Sequence, residues 1–201
     1  MSKQQKLIQS LGELAFPLIG MFYLEWSLYF IALYYLLDTI ANEIFFHVEM
    51  KTIYAFHGRK QKDKSVWLLN GSIQLILFII ITFLVHFAIP NIYPKMDVKL
   101  EFWKFLMYEE EFMPFPQVYV LLPLVLLPKY MQYKNDFLTK QKQSNFTGKT
   151  YTLLRRRAWL LTLALVATLS ALSSLVHFPV VIWLFCAVVP KLVYDIWIVK
   201  Y

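Results

Sequence analysis

Residues 65–94 read SVWLLNGSIQLILFIIITFLVHFAIPNIYP, thirty positions without an Asp, Glu, Lys or Arg. A helix needs about 20 apolar residues to cross a hydrocarbon core of about 30 Å, where only helices and closed barrels satisfy their own backbone groups. Residues 158–190 form a second uncharged run, of 33 positions. Neither run alternates apolar and polar residues at a period of two, as a lumen-facing barrel strand does. The sequence therefore predicts an all-α fold, a polytopic transmembrane helix bundle.

Working outward from these runs, the charges sort by sign. Arg59, Lys60, Lys62 and Lys64 form one basic cluster, and a second extends from Lys129 through Lys134, Lys140, Lys142 and Lys149 to Arg155, Arg156 and Arg157. Between them, residues 90–113 carry Asp97, Glu101, Glu109, Glu110 and Glu111 against Lys95, Lys99 and Lys104. Basic loops are retained in the cytoplasm, so both clusters are expected inside and the acid-rich segment outside. Spans over 66–89 and 114–134 then make one hairpin around an external insert, 90–113. Residues 158–199 are too long for one crossing and fit two. Pro179 breaks them, giving a second hairpin over 156–199, so that four spans are secure. Both termini are expected in the cytoplasm of a bacterial cell, with the chain in the inner membrane.

Leu84-Val85-His86-Phe87 and Leu175-Val176-His177-Phe178 repeat one another at the ends of two apolar runs. The likeness suggests either a parallel internal repeat of the two hairpins or a coincidence of apolar composition.

The N-terminal part is organised differently. Residues 26–57 contain neither Gly nor Pro and are predicted as one long helix, about 48 Å at 1.5 Å per residue. That exceeds the bilayer core, so its second half is expected to project into the cytoplasmic interface or pack inside the bundle. A short or re-entrant helix over 14–24 precedes it. Glu13 and Glu25 interrupt the apolar stretch behind Lys3 and Lys6 and no small-x-small cleavage site follows, so the segment is expected to remain in the mature chain.

The chain of 201 residues is 59% hydrophobic and 18% aromatic, which leaves little for a water-soluble domain, and one membrane domain over 1–201 is expected. Its excess of 20 Lys and Arg over 13 Asp and Glu is read as cytoplasmic retention rather than direct nucleic-acid contact. Cys186 is the single cysteine, which excludes an internal disulfide and a cysteine-based metal site. No cofactor or metal is expected.

The residues that could carry chemistry are charges at membrane depth, where they are expensive enough to face protein, a water cavity or an oligomer axis. At 100° per residue, Asp38, Asn42 and Glu49 fall on one stripe of the long helix, and Glu25, Glu43, His47 and Lys51 on nearly the opposite one. Two stripes predict protein on both sides of that helix. Either they carry an ion or ligand pathway along Asp38 and Asn42, or they make interhelical hydrogen bonds. His86 and His177 could meet as a proton-sensing or metal pair, or serve as interfacial anchors. Glu109, Glu110 and Glu111, among aromatic neighbours, suit an external sensing segment on the outer leaflet or a solvated connector. Lys140, Lys142, Lys149, Arg155, Arg156, Arg157, Arg59 and Lys60 suit anionic lipid or a soluble cytoplasmic partner. The loop 129–157 is expected to lack a fold of its own. No Gly-x-Ser-x-Gly pattern or other catalytic constellation is present, so the chain is read as non-enzymatic.

Trp26 through Met50, above all Tyr34-Tyr35-Leu36-Leu37-Asp38-Thr39-Ile40-Ala41-Asn42, resembles the aromatic-acid-Asn helix of a family of uncharacterised bacterial multi-span proteins. The family's usual Trp and Glu are replaced here, and it implies no activity. In size, span number and lack of catalytic residues the chain also resembles the membrane subunit of the Kiwa anti-phage defence system. That resemblance implies a membrane-embedded oligomer that senses phage at the envelope and holds a soluble DNA-binding effector on its cytoplasmic side; a homotetramer is the assembly expected for the chain. The function expected is an inner-membrane sensor and scaffold, the alternative a small channel or transporter using Asp38 and Asn42.

Overall fold

The computed structural model describes residues 15, 17–23, 26–57, 64–107, 117–139, 142–145 and 147–197. Among them every regular element is helical: α1 (Leu28–Phe56), α2 (Lys64–Ile92), α3 (Val98–Met107), α4 (Gln117–Gln132), a π-helical turn (Tyr133–Leu138), α5 (Lys142–Asn145), α6 (Gly148–Leu175) and α7 (Val180–Trp197). Among the described residues, three stretches are long and apolar enough to cross a membrane, Leu28–Phe56, Asn70–Ile92 and Gly148–Leu175, as is compatible with a membrane protein.

Among the described residues these stretches match the expected four spans in part. The long N-terminal helix, its second half expected to project into the cytoplasmic interface or pack inside the bundle, is itself one of the three. Within the expected span 114–134 the described α-helix runs over Gln117–Gln132, 16 residues or about 24 Å. Pro123 and Pro128 lie inside it, and each removes an N–H that a preceding carbonyl would accept. The six-residue π-helical turn follows directly. The final pair is broken at Pro179 as expected, between α6 and α7. The basic loop 129–157, expected to lack a fold of its own, is largely helical among its described residues, and α6 begins at Gly148, ahead of the three arginines.

Side chains show why the helices begin and persist. Ser27 Oγ accepts the Phe30 N–H at 3.1 Å and so caps α1. Asp97 Oδ1 accepts from the N–H groups of Lys99 and Leu100 at 2.9 and 3.1 Å and caps α3. Thr147 Oγ1 accepts the Thr150 N–H at the start of α6. Within the apolar helices, Thr39, Thr82, Thr162 and Thr168 each donate to the carbonyl four residues back. Such back-bonding hides a hydroxyl that lipid could not satisfy.

The chain divides into two compact units, one of residues 1–33, 83–105 and 164–201 and the other of residues 34–82 and 106–163. In the first, Ser27 Oγ also donates to Glu101 Oε2 at 3.1 Å, joining the cap of α1 to α3. Beside it the Phe30 and Phe105 rings meet edge to face, 4.8 Å apart. Tyr29, fully buried, shares a 2.8 Å hydrogen bond with His86 Nε2. The helical stretch 17–23 turns back so that Trp26 N–H donates to the Gly20 carbonyl. A Cβ at Gly20 would lie 2.2 Å from the Trp26 ring, so this turn needs glycine. Of the two Leu-Val-His-Phe tetrads, the first continues in helix to Ile92, whereas the second leaves helix at Leu175, because Pro179 follows it immediately.

Candidate functional site

The second unit gathers the charged residues of α1. A Cβ at Gly148 would stand 2.8 Å from the ring of Tyr54, so α6 enters where glycine permits contact with the end of α1. From there the partners step backward along α1: Tyr151 OH donates to Glu49, Thr152 Oγ1 lies 3.9 Å from the Met50 sulfur, and Arg155 reaches Glu43. The two helices run antiparallel over this stretch. Tyr151, Arg155 and Trp159 recur every four residues and share a face, so all three address α1.

Glu43 is the focus. Its Oε1 accepts from Arg155 Nε at 2.6 Å and from the Trp159 indole N–H at 2.7 Å, and Arg155 also presents Nη2. The Arg155 and Glu43 side chains are 23% and 18% exposed, so the pair is largely withdrawn from solvent. The guanidinium lies 5.9 Å from the ring centroids of both Phe46 and Trp159, within cation–π range. Trp159, which an interfacial belt would leave at the surface, is buried against this carboxylate.

Two further braces follow. Asp38 Oδ1 lies 3.4 Å from Lys129 Nζ on α4, and Asp38 Oδ2 accepts from Asn42 Nδ2 at 3.0 Å. Thr52 and Tyr133 share a hydroxyl–hydroxyl bond of 3.0 Å, which ties α1 to the π-helical turn. On α2, buried Asn70 accepts from Arg156. Below these polar groups Phe46, Met50, Ile53 and Phe137 form an apolar core with Tyr54, Tyr133 and Tyr151 around it. Phe46 and Tyr151 stack at 5.4 Å.

Of the intramembrane residues singled out from sequence, Asp38 and Asn42 bond each other, and Glu49 bonds α6. Their shared stripe is thus met by α4 at one level and by α6 at another. Of the basic residues, Arg155 and Arg156 address α1 and α2, while Lys149 and Arg157 are exposed. Lys142 lies in α5. Arg59, Lys60, Lys140, Glu109, Glu110 and Glu111 lie outside the described residues. His86 engages Tyr29, and His177 is exposed. Sequence reasoning missed Lys129, Tyr151 and Trp159 as partners of α1, and Asn70 on α2. The four-residue spacing of Tyr151, Arg155 and Trp159 was the signal for the α6 face. Among the described residues, no group of three His, Cys, Asp or Glu side chains is placed to hold a metal ion.

The fold and this seam define an all-helical protein in which one long helix is braced through its carboxylates. No protein-family model, curated protein or solved structure matches the chain.

Proposed function

We propose that this chain is a non-enzymatic scaffold and sensor of the bacterial inner membrane, which oligomerises and holds a soluble effector on its cytoplasmic side. The observation that carries the reading is the fate of the α1 acids: Asp38, Glu43 and Glu49 each engage a side chain of α4 or α6. An ion path needs ligands that exchange readily with the ion, whereas carboxylates held by Lys129, Arg155 and Tyr151 serve to fix helices against each other. The resemblance to the Kiwa membrane subunit, in size and helical architecture, supports a role in anti-phage defence. Residues 90–113, with Glu109, Glu110 and Glu111, face outward in this reading and register envelope disturbance.

The effector docks by charge on the basic residues that do not brace α1, namely Lys149 and Arg157 with Lys140, Lys142, Arg59 and Lys60. Anionic lipid shares that surface. The test is affinity purification from the native host in mild detergent. A soluble protein should co-purify at fixed stoichiometry from wild type and be lost from the Lys140→Gln, Lys142→Gln, Lys149→Gln variant. It should also dissociate as salt shortens the Debye length from about 10 Å at 0.1 M toward 3 Å at 1 M. Retention by the triple variant at high salt would remove this surface from the reading. Purification of the oligomer alone, with ion flux in liposomes, would replace the scaffold by a channel.

A further inference from the structure

Polar atoms buried without a partner are rare in proteins, and each calls for a physical reason. Gln74 of α2 is 5% exposed, and neither its Nε2 nor its Oε1 has a hydrogen-bond partner among the described residues. Glu43 Oε2 is in the same condition, since Arg155 and Trp159 both approach the other oxygen.

Helix geometry brings these groups to one level. A Cβ built on Gly71 of α2 points toward His47 Nε2 of α1, 3.9 Å away. The pairings of Tyr29 with His86 and of His47 with Gly71 run in opposite senses along the two helices, so helix spacing puts Glu43, one turn back from His47, level with residues 74 and 75, one turn beyond Gly71. Asn70, Gly71 and Gln74 share a face of α2, and Asn70 on that face accepts from Arg156.

The chemistry selects the occupant. Glu43 is already neutralised by Arg155, and Arg156 adds a further positive charge, so a cation has no net negative seat. A carboxylate oxygen only accepts, whereas a carboxamide both donates and accepts. The small neutral molecule that donates to the first and exchanges bonds with the second is water, which occupies buried polar sites with two to four partners.

We propose that Glu43 Oε2 and the Gln74 carboxamide form a buried water-binding seat between α1 and α2, with Gln74 the positioning residue that completes the Glu43–Arg155 clamp. The proposal is independent of the scaffold reading.

Two measurements on the full chain test it. In lipid nanodiscs, water-edited solid-state NMR should show magnetisation passing from water to the Gln74 side-chain amide. Its absence overturns the proposal. Thermal unfolding of Gln74→Met supplies a sign. Removing a carboxamide from a dry site relieves a buried unsatisfied group and raises or preserves Tm. Removing it from a hydrated seat strips the water's support from Glu43 and lowers Tm, by about 2–4 °C or more for a chain of this size. A Tm equal to or above wild type overturns the seat, as does a lowered Tm without water transfer, which would mean a direct Gln74–Glu43 bond.

Discussion

Arg155 places its Nε 2.6 Å from Glu43 Oε1, across a sequence separation of 112 residues. Removing one partner of a withdrawn pair strands the other charge, which costs about 3–5 kcal/mol when fully buried. With both side chains about one-fifth exposed, Arg155→Ala is expected to cost about 2 kcal/mol. Arg155→Lys should recover little, because a single ammonium cannot reproduce the fork or its stacking on Phe46 and Trp159. A double-mutant cycle with Glu43→Gln, read by thermal unfolding in detergent, checks this. Strictly additive losses would show that the two residues do not couple.

Asp38→Asn keeps the shape and the Asn42 contact of Asp38 while removing the charge facing Lys129. A scaffold should retain its oligomer and its partner. Liposome flux present in wild type and abolished in Asp38→Asn, with the oligomer intact, would establish a conducting role instead.

Gly148→Ala would set a methyl group 2.8–2.9 Å from two ring carbons and the hydroxyl oxygen of Tyr54. The ring must move or α6 must start elsewhere, at a cost of about 1–3 kcal/mol typical of overpacking. Tyr54→Leu in the same background should recover part of the lost Tm. Equal losses with and without it would place the strain outside this contact.

Topology is checked by single cysteines in a Cys186→Ser background. Cysteines replacing Lys62 and Gln143 should be protected from an impermeant reagent in intact spheroplasts, and one replacing Asp97 should be labelled. The reverse pattern would invert the assignment of the basic segments to the cytoplasm.

The long helices were legible because their signals are local. Absence of Gly and Pro over 26–57 marked α1, and Phe178-Pro179 marked the break before α7. That the α1 acids face protein was also legible, since charges in an apolar helix demand it. The identity of their partners was not, because pairings such as Glu49 with Tyr151 span 102 residues and leave no periodic trace. The basic segment was misread for a related reason. Its lysines and glutamines obscured the four-residue recurrence of Tyr151, Arg155 and Trp159, which belongs to a helix already begun at Gly148.

The separations along α1 also set an order of assembly. Ser27 waits for Glu101, 74 residues later, before its hydroxyl has that acceptor. Glu49 and Glu43 wait 102 and 112 residues for Tyr151 and Arg155. At synthesis rates of about 5–20 residues per second, the last interval is about 6–22 s. The first long helix to leave the ribosome thus waits for α6 before its contacts are complete, and its carboxylates must reside in a hydrated setting until α6 arrives. Truncation after α2 should therefore yield a nascent chain retained at the insertion machinery rather than released into lipid.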